Sequence, residues 1–269
     1  MRDEASPRYR SYIVTSCKGG IGKSTVCANL AASAAKLGHR VLIIDCDFSN
    51  RSLDLIFNCE ENIIYDITDL ALGKSTPEQT VIALPGRENL FFIPAPMVCR
   101  GMFTSEQLKA AVDGAAAAAD CDMVFIDTPG AADWILPVVA PVAENALIVV
   151  SHMPTSVRGA EKTGYFLSEL GISEQRLIVN RFDRKKVCAH RRPGLNALID
   201  RTHIPVGGVI PESPALELGQ ECGRLACQLG RTPDRVSEAF DETVKRILGE
   251  RIPIMSYLSE RKRRMLINY

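Results

Sequence analysis

Nine consecutive residues, Cys17-Lys18-Gly19-Gly20-Ile21-Gly22-Lys23-Ser24-Thr25, hold the densest chemistry in the chain. Glycines let a backbone curl until its N–H groups converge, and convergent amides at the start of a helix attract an anion. The expected occupant of residues 18–25 is a nucleoside triphosphate, with Lys23 at the β- and γ-phosphates and Ser24 on Mg2+. The core of the pattern, Gly22-Lys23-Ser24, is intact, but Cys17 stands where a glycine is usual. The bland alternative is a glycine-rich turn with an incidental lysine.

Carboxylates stand at two further places. Asp45 and Asp47 close one apolar run, and Asp127 closes another, followed by Thr128-Pro129-Gly130. Ligands of open α/β sheets collect at such strand ends. Carboxylates beside a triphosphate repel it unless a cation intervenes, so Mg2+ is implied, with Ser24, Asp45, Asp47 and Asp127 as its candidate holders. Each aspartate could instead cap a helix or a turn. No His or Glu near these motifs offers a strong general base. Phosphoryl transfer needs little from one, because positioning and charge stabilisation do most of the work. Slow turnover stimulated by a partner is the expectation.

These groups need a scaffold that brings them together. Residues 11–16 read as a short buried strand, and residues 24–37 as a helix stopped by Gly38. Residues 41–44, 89–93, 123–126, 146–150, 176–179 and 206–210 are further short apolar runs. Most are continuous rather than alternating, as in parallel strands buried on both faces. Helix-length segments at 105–119, 155–170 and 233–248 lie among them. The alternation predicts an α/β fold, a single doubly wound and mostly parallel sheet with helices on both faces.

Composition is that of an ordinary globular chain: 269 residues, 46% hydrophobic, 24% charged, with zero formal net charge. Whole-molecule charge therefore points to neither nucleic acid nor membrane. No apolar run approaches the length of a bilayer span, and residues 1–10 are charged without the apolar stretch of a secretory signal. Nine cysteines without a CxxC pair suggest reduced thiols and a cytoplasmic setting. One domain over 1–251, with 1–10 as a charged extension and 252–269 as a separate tail, is the simplest division.

The early lysine, Lys18, gives the pattern KGGxxK[ST], and here the chain resembles the MinD/ParA family of deviant Walker A ATPases, most closely its MinD branch. The resemblance implies that Lys18 crosses a homodimer interface to the partner's nucleotide, as an arginine finger does elsewhere. It implies that Asp47 in switch I helps orient the attacking water, making Lys18 and Asp47 the catalytic pair. It implies that Asp127 is the Walker B aspartate, with switch II after it. Asn180-Arg181-Phe182-Asp183 nearly spells a guanine signature, yet the family places a similar Asn-Arg at adenine, with a later loop that is Ile210-Pro211-Glu212 here. ATP is therefore the expected nucleotide, with Asn180, Arg181, Pro211 and Glu212 at its base. Arg51-Ser52-Leu53-Asp54-Leu55 and Ser156-Val157-Arg158 resemble further MinD segments, but Ser52 and Gly159 depart from the usual Asn and Asp. Iron-sulfur relatives share the scaffold, and Cys99-Arg100-Gly101 is faintly similar to one of their cluster segments. Residues 128–134 contain no cysteine, so no cluster is expected.

The tail carries Arg261, Lys262, Arg263 and Arg264, with Leu258, Met265, Leu266 and Tyr269 on one helical face. MinD proteins end in an amphipathic helix that binds anionic membrane after ATP-driven dimerisation, and this tail occupies the same place. The implied role is choice of the division site, together with a division-inhibitor protein and an ATPase activator. Two alternatives stay open: a ParA-like DNA-partitioning ATPase using Arg184-Lys185-Lys186 and Arg191-Arg192, or a nucleotide-binding scaffold with weak hydrolysis.

Overall fold

The computed structural model describes residues 9–98, 101–131, 134–189 and 191–268. The chain runs β1 (Arg10–Ser16), α1 (Lys23–Lys36), β2 (Val41–Asp45), α2 (Leu53–Phe57), α3 (Ile67–Ala71), α4 (Pro77–Thr80), β3 (Ile82–Ala83), β4 (Leu90–Ile93) and α5 (Ser105–Ala118). It continues through β5 (Met123–Gly130), α6 (Leu136–Val139), β6 (Asn145–Val150), α7 (Pro154–Glu169), β7 (Glu174–Phe182), α8 (Arg184–Cys188), α9 (Leu195–Thr202), β8 (Val206–Pro211), α10 (Pro214–Glu221), α11 (Val236–Ile247) and α12 (Glu260–Asn268).

The strands form one sheet in the order β3-β4-β2-β5-β1-β6-β7-β8. Every pairing is parallel except β3 with β4. β1 and β2 are buried almost throughout, as their continuous apolar runs require. Two apolar clusters result, one on each face. One packs α5 and α7 against residues such as Ile44, Ile126 and Ile148, and the other packs α1 and α11 against Ile43, Phe125 and Ile178. The expected doubly wound α/β sheet is what forms. Helix α1 ends at Lys36 with Leu37 as its C-cap, and Gly38 follows with φ +98°, a conformation that glycine reaches without strain.

Several boundaries differ from the expectations. β5 runs on through Thr128-Pro129-Gly130, and β7 extends to Phe182, so Asn180 and Arg181 lie within a strand rather than after it. α11 begins at Val236 rather than 233, because Arg235 is left-handed at φ 61° and cannot continue a right-handed helix backwards. β3 has two residues and gives no periodic signal.

The tail packs on the body of the chain. Met255 and Leu266 are each 2% exposed and belong to the core, and α12 lies on α8 and α9. Leu258 is partly buried, whereas Met265 on the expected apolar face is 38% exposed. Tyr269 lies outside the described residues, as do residues 1–8 of the N-terminal extension.

Candidate nucleotide site

The register of the sheet places two of the three aspartates side by side. Asp45 at the end of β2 pairs with Asp127 in β5, and Val14 of β1 pairs with Asp127 on its other side. The β1–β5 register then slips between Val14 and Ser16, where β1 gives way to the phosphate loop. Gly20 (φ +76°) and Gly22 (φ +86°) are left-handed there, and α1 starts directly at Lys23. The turn thus ends on a helix N-terminus whose first amides have no intrahelical partner.

Close approach constrains the loop from two sides. A Cβ on Gly130 would lie 2.7 Å from the Gly19 nitrogen and 2.9 Å from the Lys18 carbonyl carbon, so β5 presses backbone to backbone against the loop. A Cβ on Gly22 would lie 2.5 Å from Asn180 Nδ2. That amide donates to the Ile21 carbonyl at 2.8 Å, which makes Asn180 a brace for the loop.

The two lysines of the motif have opposite environments. Lys23 is 6% exposed, and its ammonium donates to Asp127 Oδ1 at 2.8 Å and to Ser24 Oγ at 3.3 Å, with Asp47 Oδ2 at 3.6 Å. Burial pulls its pKa down, but the Asp127 and Asp47 charges outweigh that and leave it raised. Lys18 is exposed, and no ion pair is found for it among the described residues.

The aspartates divide the work. Burial, with Asp127 beside it, holds the Asp45 carboxyl well above the usual carboxylate range. Its two oxygens accept from the amides of Asp47 (2.8 Å) and Leu53 (3.4 Å), so it shapes the turn after β2. Asp47 Oδ1 accepts from the amides of Ser49 (3.1 Å) and Asn50 (3.2 Å). Burial raises Asp127 too, and Lys23 opposes the rise. Its second oxygen, Oδ2, is buried without a hydrogen-bond partner. An orphaned carboxylate oxygen is costly unless something binds it. With the Ser24 hydroxyl nearby, it suits a hard cation such as Mg2+, which takes one or two protein oxygens and fills its shell with phosphate and water. Among the described residues, no group of three His, Cys, Asp or Glu side chains is arranged to hold a metal by itself.

At the other end, a cavity of about 270 Å3 is lined by Lys18, Gly19, Ile21, Arg181, Asp183 and Glu212, with others. Arg181 is left-handed (φ 51°), and its guanidinium lies 3.7 Å from Glu217. The Glu212 amide donates to the Phe182 carbonyl at 3.3 Å, tying the loop after Pro211 to β7. The Thr25 hydroxyl is hydrogen-bonded to the Gln220 amide of α10 (Nε2 to Oγ1, 3.0 Å). Gln220 escaped sequence reasoning because its partner is 195 positions away and no local pattern marks it. The same holds for Asn29, whose Oδ1 accepts from the Ala226 amide at 2.6 Å. Of the segment similar to iron-sulfur relatives, Cys99 and Arg100 lie outside the described residues.

A family model described as "ParA: NUBPL iron-transfer P-loop NTPase" matches residues 9–248. The septum site-determining protein MinD of Thermotoga maritima is 29% identical over 246 residues, 90% of this chain and 89% of the relative. That of Synechocystis is 29% identical over 255 residues, 93% of each. A chain of the MinC:MinD cell division protein complex of Aquifex aeolicus has a TM-score of 0.83 and 29% identity, over 91% of this chain and 97% of that one. With a buried and an exposed lysine on one phosphate loop and these relatives along nearly its whole length, the chain belongs to the ParA family of P-loop NTPases, in its MinD branch.

Proposed function

We propose that the chain binds Mg-ATP in its phosphate loop, dimerises around it, hydrolyses it slowly, and thereby serves placement of the division septum, the role for which its relatives are named. One observation carries the reading: Lys23 is buried among the site's own carboxylates, whereas Lys18, five positions earlier on the same loop, is exposed and lines the cavity. A cation so placed can reach a nucleotide held by a second copy and neutralise charge that develops on the transferred phosphoryl group.

Within one subunit, the amides of residues 19–24 bind the triphosphate and Lys23 holds its β- and γ-oxygens. Asp47, fixed by the amides of Ser49 and Asn50, keeps one oxygen toward Lys23 and would orient the attacking water. Ser24 and the free oxygen of Asp127 would hold Mg2+, which when bound neutralises phosphate charge. Asp45 would act on the metal site through the turn it organises, by accepting from the Asp47 and Leu53 amides. Adenine rather than guanine is supported by Asp183. Its carboxylate caps α8 through the amides of Lys185 and Lys186 and pairs with Lys186 at 2.8 Å, so it is already engaged and not free to read a guanine edge.

A division-inhibitor protein and an ATPase activator are the proposed partners, the first supported by the similarity to the MinC:MinD complex. Residues 1–251 are proposed as the ATPase unit and 252–269 as a membrane-binding segment. No helix among the described residues is long and apolar enough to cross a membrane. Reversible docking from the cytoplasm would instead use α12, which exposes Arg261, Lys262, Arg264 and Met265. Each basic residue adds roughly 1 kcal/mol near an anionic surface, and a dimer presents two tails. Because Leu266 is buried against the body, full insertion requires α12 to come away from α8 and α9.

Light scattering with Mg2+ and a non-hydrolysable ATP analogue tests the reading. The mass doubles with the analogue and stays monomeric with ADP. An unchanged mass at saturating analogue, or tighter binding of GTP than ATP, counts against it.

A further inference from the structure

Two places where the sequence departs from its family's pattern lie against each other. Cys17 stands at the start of the phosphate loop and Gly159 on the second turn of α7, separated by 142 positions in the sequence and in van der Waals contact in the fold. A Cβ built on Gly159 would fall 1.9 Å from Cys17 Sγ and 2.5 Å from Cys17 Cβ. Rotation about χ1 could swing the sulfur aside. It could not move the Cβ, whose place is set by the backbone, so relief requires the loop or the helix to shift. The thiol also points to the Ser156 carbonyl of the same helix at 3.7 Å, which seats it in the notch that glycine leaves.

α7 is a firm backstop for this contact. Ser156, Val157, Ala160, Gly164 and Leu167 face the core, and the Ser151 amide donates to Ser156 Oγ at 3.0 Å. On the opposite side, Gly130 leaves Gly19 and Lys18 no room to retreat. The segment that carries Lys18 is thus held between β5 and α7, and Cys17 is its contact with α7.

We propose that Cys17 and Gly159 form a steric pair that sets where the phosphate loop leaves β1, and that Cys17 is a positioning residue for Lys18 and the first loop amides. The inference rests on the ATPase reading above for its effect on turnover, but the contact itself does not.

A double-mutant cycle tests it, using Gly159→Ala, Cys17→Gly and both together in the full chain. Three quantities are read on each: melting temperature, ATP affinity, and turnover at saturating ATP. Misplacement of about 1 Å in a catalytic constellation costs up to roughly 100-fold in rate. Gly159→Ala should therefore lower turnover by at least about 10-fold in the wild-type background, more than it weakens ATP binding. Added to Cys17→Gly, where the notch is vacant, the same change should alter turnover by less than about 3-fold. An equal loss in both backgrounds overturns the proposal, as does no loss in either. A purely structural contact would shift melting and leave turnover per folded protein untouched. If Gly159→Ala does not fold, recovery of folded protein in the double variant supports the pair, and its absence overturns it. A wild-type chain that binds no ATP removes the ATPase reading, while the melting-temperature cycle still decides the contact.

Discussion

Replacing Lys23 by methionine keeps the length of the side chain and removes its charge. In the folded chain the ammonium sits 2.8 Å from Asp127 and 3.6 Å from Asp47, with Asp127 fully buried and Lys23 at 6% exposure. The variant leaves these carboxylates, and Asp45 beside them, without their cation. Breaking a buried pair by removing one partner costs about 3–5 kcal/mol, because the remaining charge stays desolvated. For a chain of this size that is a fall of roughly 6–10 °C in melting temperature, at about 2 °C per kcal/mol. The penalty must also depend on pH. Without Lys23, burial raises the folded pKa of Asp127 further above its unfolded value. A carboxyl raised in this way binds its proton more tightly when folded, so it lowers stability as pH rises through the window above the unfolded value. Lys23→Met should therefore be most costly at pH 8 and less so near pH 5. Scanning calorimetry at both pH values, with and without ATP, measures this. Saturating ATP at about 100 times its Kd should add roughly 2.7 kcal/mol to the wild type and nothing to the variant. A variant that melts within about 2 °C of wild type, or a penalty equal at both pH values, would refute the reasoning.

His152 supplies a second pH effect with a separate origin. Burial lowers its pKa from 6.5; the Pro193 carbonyl, 3.4 Å from Nδ1, opposes this, and Arg192 and Lys186 add to it. A histidine that folds neutral gives stability present above 6.5 and lost as pH falls from there through the lower folded value. As pH falls below 6.5 the wild type should lose stability that His152→Phe retains, since the ring packs on Phe182 in either case; parallel urea titrations would expose equal losses if the idea is wrong. For the tail, sedimentation with anionic liposomes and ATP should carry down the full chain and leave a chain stopped at Ile252 in solution. Equal pelleting of both would remove the membrane role.

The fold was legible because its signals are local. Continuous apolar runs read as parallel strands, and Gly19, Gly20 and Gly22 before Lys23 read as a phosphate loop on a helix start. Asp45, Asp47 and Asp127 were found because strand ends collect function, and the register then set Asp45 directly against Asp127. What local patterns could not show was how each group is engaged. The Asn180 motif is legible, but not the bond from its amide to the Ile21 carbonyl, a contact formed only when β7 reaches the loop. Asp45 is legible as a strand-end carboxylate, but not the two backbone amides, of Asp47 and Leu53, that its oxygens accept from. Gln220 and Asn29 act across long separations and carry no motif. Periodicity puts Met265 and Leu266 on one face of the tail, but only Leu266 is buried. It could not say that Leu266 would be covered by the chain's own α8 and α9.

Whether Lys18 serves the neighbouring subunit can be tested by mixing two inactive variants. Lys18→Ala keeps its own Asp47, and Asp47→Ala keeps a lysine to donate. If the lysine acts across the dimer, each mixed dimer contains one complete site, and an equal mixture regains about a quarter of wild-type turnover from the half of its dimers that are mixed. A mixture no more active than either variant alone would contradict a lysine that works in trans.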